Sequence, residues 1–152
     1  MATNKIDTLL SQLKTEIDAN AALDTGTDVI VELQEITSGD RDTFEDKLAV
    51  ALDADGVAVA IYIPSFRNEY PNAGGPAVEI QVLVDVWFDP IAKTTARDSI
   101  TSVIEKLATT LNLFVPAILG RALIITQGDP KVVDSFLVMS LLLEQTLVMD
   151  QI

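Results

Sequence analysis

Residues 77–89 alternate between apolar and polar side chains more regularly than any other part of the chain. One set of alternate positions is apolar: Val78, Ile80, Val82, Val84, Val86 and Phe88. The positions between them are mostly polar: Glu79, Gln81, Leu83, Asp85, Trp87 and Asp89. A period of two residues predicts a strand with one buried face and one partly solvated face.

Two other stretches have the longer period of an amphipathic helix. The first begins with Thr3 or Asn4 as a cap, ends near Ala19, and has one apolar stripe: Ile6, Leu9, Leu10, Leu13 and Ile17. The second runs from Thr95 to Leu111, with Asp98 as a capping-box partner. Its stripe is Ile100, Val103, Ile104, Leu107, Ala108 and Leu111. Each helix is expected to pack on a single surface.

The remaining apolar stretches predict shorter strands. Residues 29–36 predict one strand, and residues 47–52 and 57–63 predict a hairpin around the turn sequence Asp53-Ala54-Asp55-Gly56. The small residues Ala58 and Ala60 share a strand face that leaves room for a helix or a neighbouring subunit. Further strands are expected at 123–126 and 132–134, on either side of a turn at 128–130. Residues 136–149 suit a strand or a helix, and the β-rich context favours a strand.

Together these elements predict an α+β fold in the order α-β-β-β-β-α-β-β. The sheet is expected to be mostly antiparallel, with both helices on one face. The 152 residues predict a single domain spanning residues 1–152. Because only 5% of the residues are aromatic, the core must be built from aliphatic side chains.

Composition excludes several classes of chemistry. The chain has 23 acidic and 10 basic residues, a net charge of -13, with no basic cluster for tight nucleic-acid binding. It has no Cys and no His, which removes thiolate nucleophiles, the commonest general base and the commonest transition-metal ligand. No apolar run reaches the roughly 20 residues that a membrane-spanning helix needs. The N-terminal sequence lacks the apolar core of a signal peptide, so synthesis in a cytoplasm is expected.

The acidic residues give no positive indication of catalysis. Asp53-Ala54-Asp55-Gly56 has the start of a calcium loop but not its other ligands, and a turn explains it. Asp85 and Asp89 share a strand face about 13 Å apart. That separation exceeds the roughly 5 to 9.5 Å between paired glycosidase carboxylates, so a solvated surface is the better explanation. We therefore expect a protein without enzymatic activity, metal or cofactor.

The most unusual loop is residues 64–76, PSFRNEYPNAGGP, which combines three prolines with two glycines. Irregular loops of this length are often functional. Phe66, Arg67 and Tyr70 lie in it, and aromatic and Arg side chains are common interface anchors. They either contact a partner or fold back on the core. Trp87 is the single tryptophan of the chain, and it shares its predicted strand face with the carboxylates of Glu79, Asp85 and Asp89. It is either packed under a loop or presented to a partner.

The order of elements resembles that of the tail terminator, or tail-completion, proteins of tailed bacteriophages. The resemblance covers most of the chain: a leading helix with Ile6, Leu9, Leu10 and Leu13, the strand at 78–86, the helix ending at Leu111, and closing strands around 128–130. It rests on element order and hydrophobic texture rather than on a signature motif. The resemblance does not identify any individual residue of this chain as functional.

The resemblance implies a structural virion protein of the tail or neck, made in the host bacterial cytoplasm. Such subunits form a ring, expected to be hexameric, that caps the tail tube, ends tail growth and joins the tail to the head. The implied partners are further copies, the tail-tube protein and head-tail connector proteins. DNA would pass through an acidic ring without specific binding. The alternatives are a head-tail connector, a minor tail protein, or an unrelated non-enzymatic cytoplasmic binding domain.

Overall fold

The computed structural model describes residues 5–19, 28–31, 41–67, 77–89 and 100–148. Within these ranges it has an α+β architecture, as the sequence predicts. The helices are α1 (Lys5–Asp18), α2 (Arg41–Asp55) and α3 (Ile100–Leu111). The strands are β1 (Asp28–Val31), β2 (Val57–Ile61), β3 (Ser65–Arg67), β4 (Ala77–Phe88), β5 (Ile124–Val133) and β6 (Phe136–Val148).

The strands form one mostly antiparallel sheet in the order β1-β2-β4-β6-β5, and β3 pairs with β4 beyond the end of β2. The exception is β1 and β2, which are parallel and are connected through α2. The longest pairing joins β4 to β6, from Ala77 opposite Val148 to Phe88 opposite Leu137. This pairing confirms the strand prediction for residues 136–148.

The larger core lies between one face of the sheet and helices α1 and α3, which confirms that these two helices share a face. The alternate apolar positions of β4 from Ile80 to Phe88 point into it, as do Val57, Val59 and Ile61 of β2. The helices contribute their predicted stripes: Leu9, Leu10, Leu13 and Ile17 from α1, and Val103, Leu107 and Leu111 from α3. The regular spacing of apolar residues in β4, α1 and α3 is what made these elements predictable.

Helix α2 corrects the predicted strand at 47–52, which is helical, and therefore also the predicted element order. Its buried side chains are Phe44, Leu48, Ala51 and Leu52, and they pack on Ala58 and Ala60 of β2. The small alanines thus make room for a helix of the same chain. The residues Ser38-Gly39-Asp40-Arg41-Asp42 predict a polar loop, and that prediction is wrong from Arg41 onward, where the helix begins.

The end of α2 corrects the predicted hairpin turn. Gly56 has a φ of 74°, and its N–H donates to the Leu52 carbonyl at 2.9 Å, one helical turn back. The Gly56 carbonyl accepts the N–H of Asp89 at 2.8 Å, which fixes the helix end to the end of β4. Gly56 is therefore a helix-terminating glycine in the left-handed region, where side chains with a Cβ are strained.

Replacing Gly56 by alanine is expected to lower the free energy of unfolding by about 1–2 kcal/mol, because alanine is disfavoured at positive φ. Urea denaturation followed by circular dichroism measures the change. Gly128→Ala is the matched control: Gly128 is not in the left-handed region, and an added Cβ would meet only ordinary contacts, 3.5 Å from Leu141. Equal stability of the two variants would contradict the assignment of Gly56 as a helix-terminating residue in the left-handed region.

The turn predicted at 128–130 is also wrong, because β5 continues through it to Val133. The chain reverses instead at Asp134 and Ser135, whose φ angles of 49° and 72° form a two-residue turn. A register shift between Ile125 and Gln127 marks a bulge in β5. The hairpin β5–β6 is therefore longer than the sequence indicates.

None of the described helices combines the length and apolar character that a membrane crossing requires.

Candidate interaction surfaces

Phe66 and Arg67 lie on a strand rather than in an irregular loop. They belong to β3, where Phe66 is opposite Ile80 and Arg67 is opposite Glu79 of β4. The loop prediction is therefore wrong for residues 65–67, while Tyr70 and the rest of the segment to 76 lie outside the described residues. The Phe66 side chain is 45% exposed and does not fold into the core.

A line of cross-strand hydrogen bonds holds β3 in place. The Ser65 hydroxyl donates to Gln81 Oε1 at 3.4 Å, and Gln81 Nε2 donates to Glu144 Oε1 at 2.7 Å. The line connects β3, β4 and β6. Because the backbone of Phe66 is already ordered in the sheet, binding of a partner to this ring would cost less conformational entropy than it would if Phe66 lay on a flexible loop.

Trp87 is packed against protein rather than presented to solvent. Its ring meets that of Phe136 edge to face, with centroids 6.1 Å apart, and adjoins the cluster under α2. Helix α2 and Phe136 pack against Trp87, so the alternative that a loop covers it is wrong. The indole Nε1 is buried and has no hydrogen-bond partner among the described residues.

A groove of about 480 Å³ runs between α2 and the sheet and is hereafter the α2 groove. Its apolar lining comes from Leu48 and Leu52 of α2 and from the rings of Trp87 and Phe136. Ala49 and Val50 also line it, and its acidic side chains are Glu45, Asp53 and Asp89. Among the described residues, none of those that line the groove is basic. Sequence reasoning missed the groove because it missed α2; the helical spacing of Phe44, Leu48 and Leu52 was the available signal.

Buried polar groups lie on the same face of the sheet as α2. Asp85 is only 2% exposed, which corrects the expectation that it belongs to a solvated surface. It is directly opposite Ser140 of β6, which is also buried. Neither Asp85 Oδ1 nor Ser140 Oγ has a hydrogen-bond partner among the residues that the structure describes. Since unsatisfied buried polar atoms are costly, this part of the sheet is less stable than an apolar one would be.

A second exposed region follows α3. Leu113 and Val115 are 65% and 51% exposed, and Arg121 is exposed nearby in the chain. We name these three residues the loop patch. Leu113 has a φ of 66°, a conformation that costs a non-glycine residue about 1 kcal/mol or more. The backbone is nevertheless well anchored.

Three hydrogen bonds anchor this segment. The N–H of Leu113 donates to the Leu123 carbonyl, and the N–H of Leu123 donates to the Phe114 carbonyl, both at 2.8 Å. The N–H of Ile118 donates to Oε1 of Gln12 on α1 at 3.1 Å. A groove of about 580 Å³ lies between α1 and Phe114, Val115 and Ala117, and its α1 wall is polar. The apolar side chains of the loop patch are therefore held on fixed backbone.

The outer edge of β5 is not suited to continuous strand pairing. Residues next to a two-residue turn exchange hydrogen bonds, so the backbone groups of Gly128, Pro130 and Val132 point away from β6. Pro130 has no N–H, which removes a donor from the middle of this edge. Proline on an edge strand protects a sheet from adding further strands. Contacts with a partner at β5 would therefore use side chains.

No model of a known protein family matches this chain, and a search of curated proteins finds no match either. Nor do any three metal-ligating side chains come together within the described ranges. An assignment of function therefore depends on the geometry of the described surfaces. It offers an acidic, partly apolar groove, an anchored apolar patch and an exposed ring on β3.

Proposed function

We propose that this protein is a tail terminator of a tailed bacteriophage: a non-enzymatic virion subunit that forms a ring on the tail tube. The ring ends tail growth and provides the surface to which the filled head is joined. The element order supports the proposal, since α1 leads, the long strand β4 precedes α3, and β5 and β6 close the described chain. The partners are further copies, the tail-tube protein and head-tail connector proteins.

The observation that carries the proposal is the presence of exposed apolar side chains in separate regions. Val50 is on α2, Phe66 on β3, Leu113 and Val115 after α3, and Val132 on β5. Exposed apolar surface marks contact sites when it forms patches, as it does at Leu113 and Val115 and where Val50 adjoins the apolar lining of the α2 groove. A ring subunit needs a surface for each neighbour, one for the tube and one for the connector, whereas a binding module with one ligand needs only one.

Charge supports the same role. A ring at the end of a tail tube surrounds the passage of DNA, and a protein with a net charge of -13 repels phosphate. Such a passage would let DNA move without binding it tightly. The acidic character is therefore useful in a ring that DNA crosses and is unsuitable for a protein that must hold DNA.

The test is to add the purified protein to tail-tube subunits from the same source during polymerisation and to image the products by negative-stain electron microscopy. We expect tubes of limited length with a ring at one end, while tubes without the protein continue to grow. Rings that form but do not bind to tubes would instead favour a head-tail connector. A protein that remains monomeric and leaves tube length unchanged would contradict the proposal and favour an unrelated binding domain.

The same assay tests the contribution of β3 and the segment after it. The triple variant Phe66→Ala, Arg67→Ala, Tyr70→Ala is expected to reduce the fraction of capped tubes by roughly tenfold or more, because aromatic and Arg anchors dominate interface energies. The control is Glu105→Ala with Thr109→Ala, two exposed positions on α3. Normal capping by the triple variant would show that this region makes no contact with neighbours or tube.

A further inference from the structure

We propose that copies of this chain join head to tail, with the loop patch of one copy seated in the α2 groove of the next. The inference rests on the proposed function, since it names the surfaces through which the ring would close. The occupant of the groove is therefore a second copy of the same chain, and the recognised elements are Leu113, Val115 and Arg121.

The two surfaces match in chemistry. The α2 groove has an apolar lining of Leu48, Leu52, Trp87 and Phe136, and carboxylates of Glu45, Asp53 and Asp89. The loop patch has two exposed apolar side chains and one guanidinium group. Burial of Leu113 and Val115 against the lining would remove apolar surface from water, and Arg121 would face an acidic rim. The backbone of Leu123, two residues after Arg121, is bonded to Leu113 and Phe114, which brings Arg121 to the same segment as the apolar pair.

The surfaces lie on opposite sides of the molecule. Helix α2 packs on the sheet face that carries Ala58 and Ala60. The segment that carries the loop patch is bonded to Gln12 of α1, and α1 packs on the other face. A contact between two different patches is heterologous, and repetition of it gives a ring or a filament rather than a closed dimer. This is the type of contact that a ring of identical subunits requires.

Order in the free subunit favours this contact. The segment around Leu113 is anchored by backbone bonds to Leu123 and by the bond from Ile118 to Gln12. The lining of the groove belongs to a helix and two paired strands. Both surfaces are therefore formed before association, which lowers the entropic cost of binding.

The test uses one variant for each surface. Val115→Asp places a carboxylate in the loop patch. Ala49→Arg fills the groove with a side chain four residues from both Glu45 and Asp53, where it can pair with them along the helix. Each variant alone should sediment as a monomer at concentrations where the wild type forms larger species, a weakening of roughly tenfold or more. Circular dichroism and thermal melting establish that both variants remain folded.

Mixing the variants is the decisive measurement. Val115→Asp keeps an intact groove and Ala49→Arg keeps an intact loop patch, so an equimolar mixture should give a one-to-one dimer and nothing larger. A mixture that stays monomeric, or variants that assemble as the wild type does, would overturn the proposal. So would a wild type that remains monomeric at every concentration reached.

Charge reversal tests the role of Arg121 separately. Arg121→Glu should weaken self-association by roughly tenfold, and the double variant Arg121→Glu, Asp53→Lys, in which every contact again joins opposite charges, should restore assembly. Lys131→Glu, an equal change of net charge at an exposed position of β5, is the control and should assemble normally. Loss of assembly by Lys131→Glu to the same extent would attribute the effect to net charge and would overturn the assigned contact.

The tube assay separates the two proposals. If the wild type assembles through these surfaces but leaves tubes uncapped, the head-to-tail contact stands and the terminator function fails. If Val115→Asp and Ala49→Arg cap tubes as well as the wild type does, the terminator function stands and the contact is wrong.

Discussion

Replacing Leu107 by alanine is expected to lower the free energy of unfolding by about 2–5 kcal/mol. Leu107 is fully buried on α3, in the cluster formed with α1 and the sheet. Truncation removes the transfer free energy of its side chain and leaves a cavity that close-packed neighbours fill only in part. A small domain has a total stability of only about 5–15 kcal/mol, so this single change removes a large share of it.

Urea denaturation monitored by circular dichroism measures this effect, and two variants on α2 provide the comparison. Val50→Ala changes a side chain that is 67% exposed and should alter stability by less than about 0.5 kcal/mol. Leu48→Ala, in the smaller cluster over Ala58 and Ala60, should fall at the lower end of the range for buried leucine. A loss at Leu48 greater than that at Leu107 would contradict the assignment of the main core to α1 and α3.

The larger core was predictable because both of its sides have regular spacing. In β4, every second residue from Val78 to Phe88 is apolar, which fixes the face of the strand as well as its type. In α1 and α3 the stripes are equally clear. The sequence does not state which strands are neighbours, because the order β1-β2-β4-β6-β5 depends on long-range pairing.

Helix α2 was missed because two local signals conflicted. Asp53-Ala54-Asp55-Gly56 has the residues of a hairpin turn, and a glycine in the left-handed region ends a helix as readily as it forms a turn. The buried residues Phe44, Leu48, Ala51 and Leu52 do have helical spacing. Alanine and valine at exposed positions, including Val50, weaken the contrast between the two sides of the helix.

The consequences of missing α2 extend to the interaction surfaces. Without that helix the polar face of β4 was expected to be solvated, so Trp87 was considered for a partner and Asp85 was assigned to solvent. Covering that face buries Asp85 and produces the α2 groove beside Trp87. The loop patch was missed for a different reason: residues 113–120 are apolar without any period, and exposure of such a segment depends on tertiary packing.

Asp85 is an unfavourable position in the described sheet, because it is a buried carboxylic acid with an unsatisfied oxygen. Its Oδ1 is buried with no partner in the described ranges, and its strand neighbours are Ala60 on one side and Ser140 on the other. A buried polar atom that has lost water without gaining a hydrogen bond costs about 1–3 kcal/mol. Val suits the position better, since it is apolar and β-branched and so fits a covered strand.

Asp85→Val is therefore expected to raise the free energy of unfolding by about 1–3 kcal/mol, measured as a higher urea midpoint at an unchanged slope. Asp85→Ala, which adds no volume, separates loss of the carboxyl group from overpacking and should also stabilise. Asp129→Val is the control: Asp129 is opposite Ser140 on the other side of β6, but it is exposed. The hydrogen bond that it accepts from Gln127 Nε2 is also exposed, so its replacement should change stability by less than about 0.5 kcal/mol. If Val and Ala at position 85 both destabilise the protein, the assignment of Asp85 as a buried, unsatisfied and destabilising group is wrong.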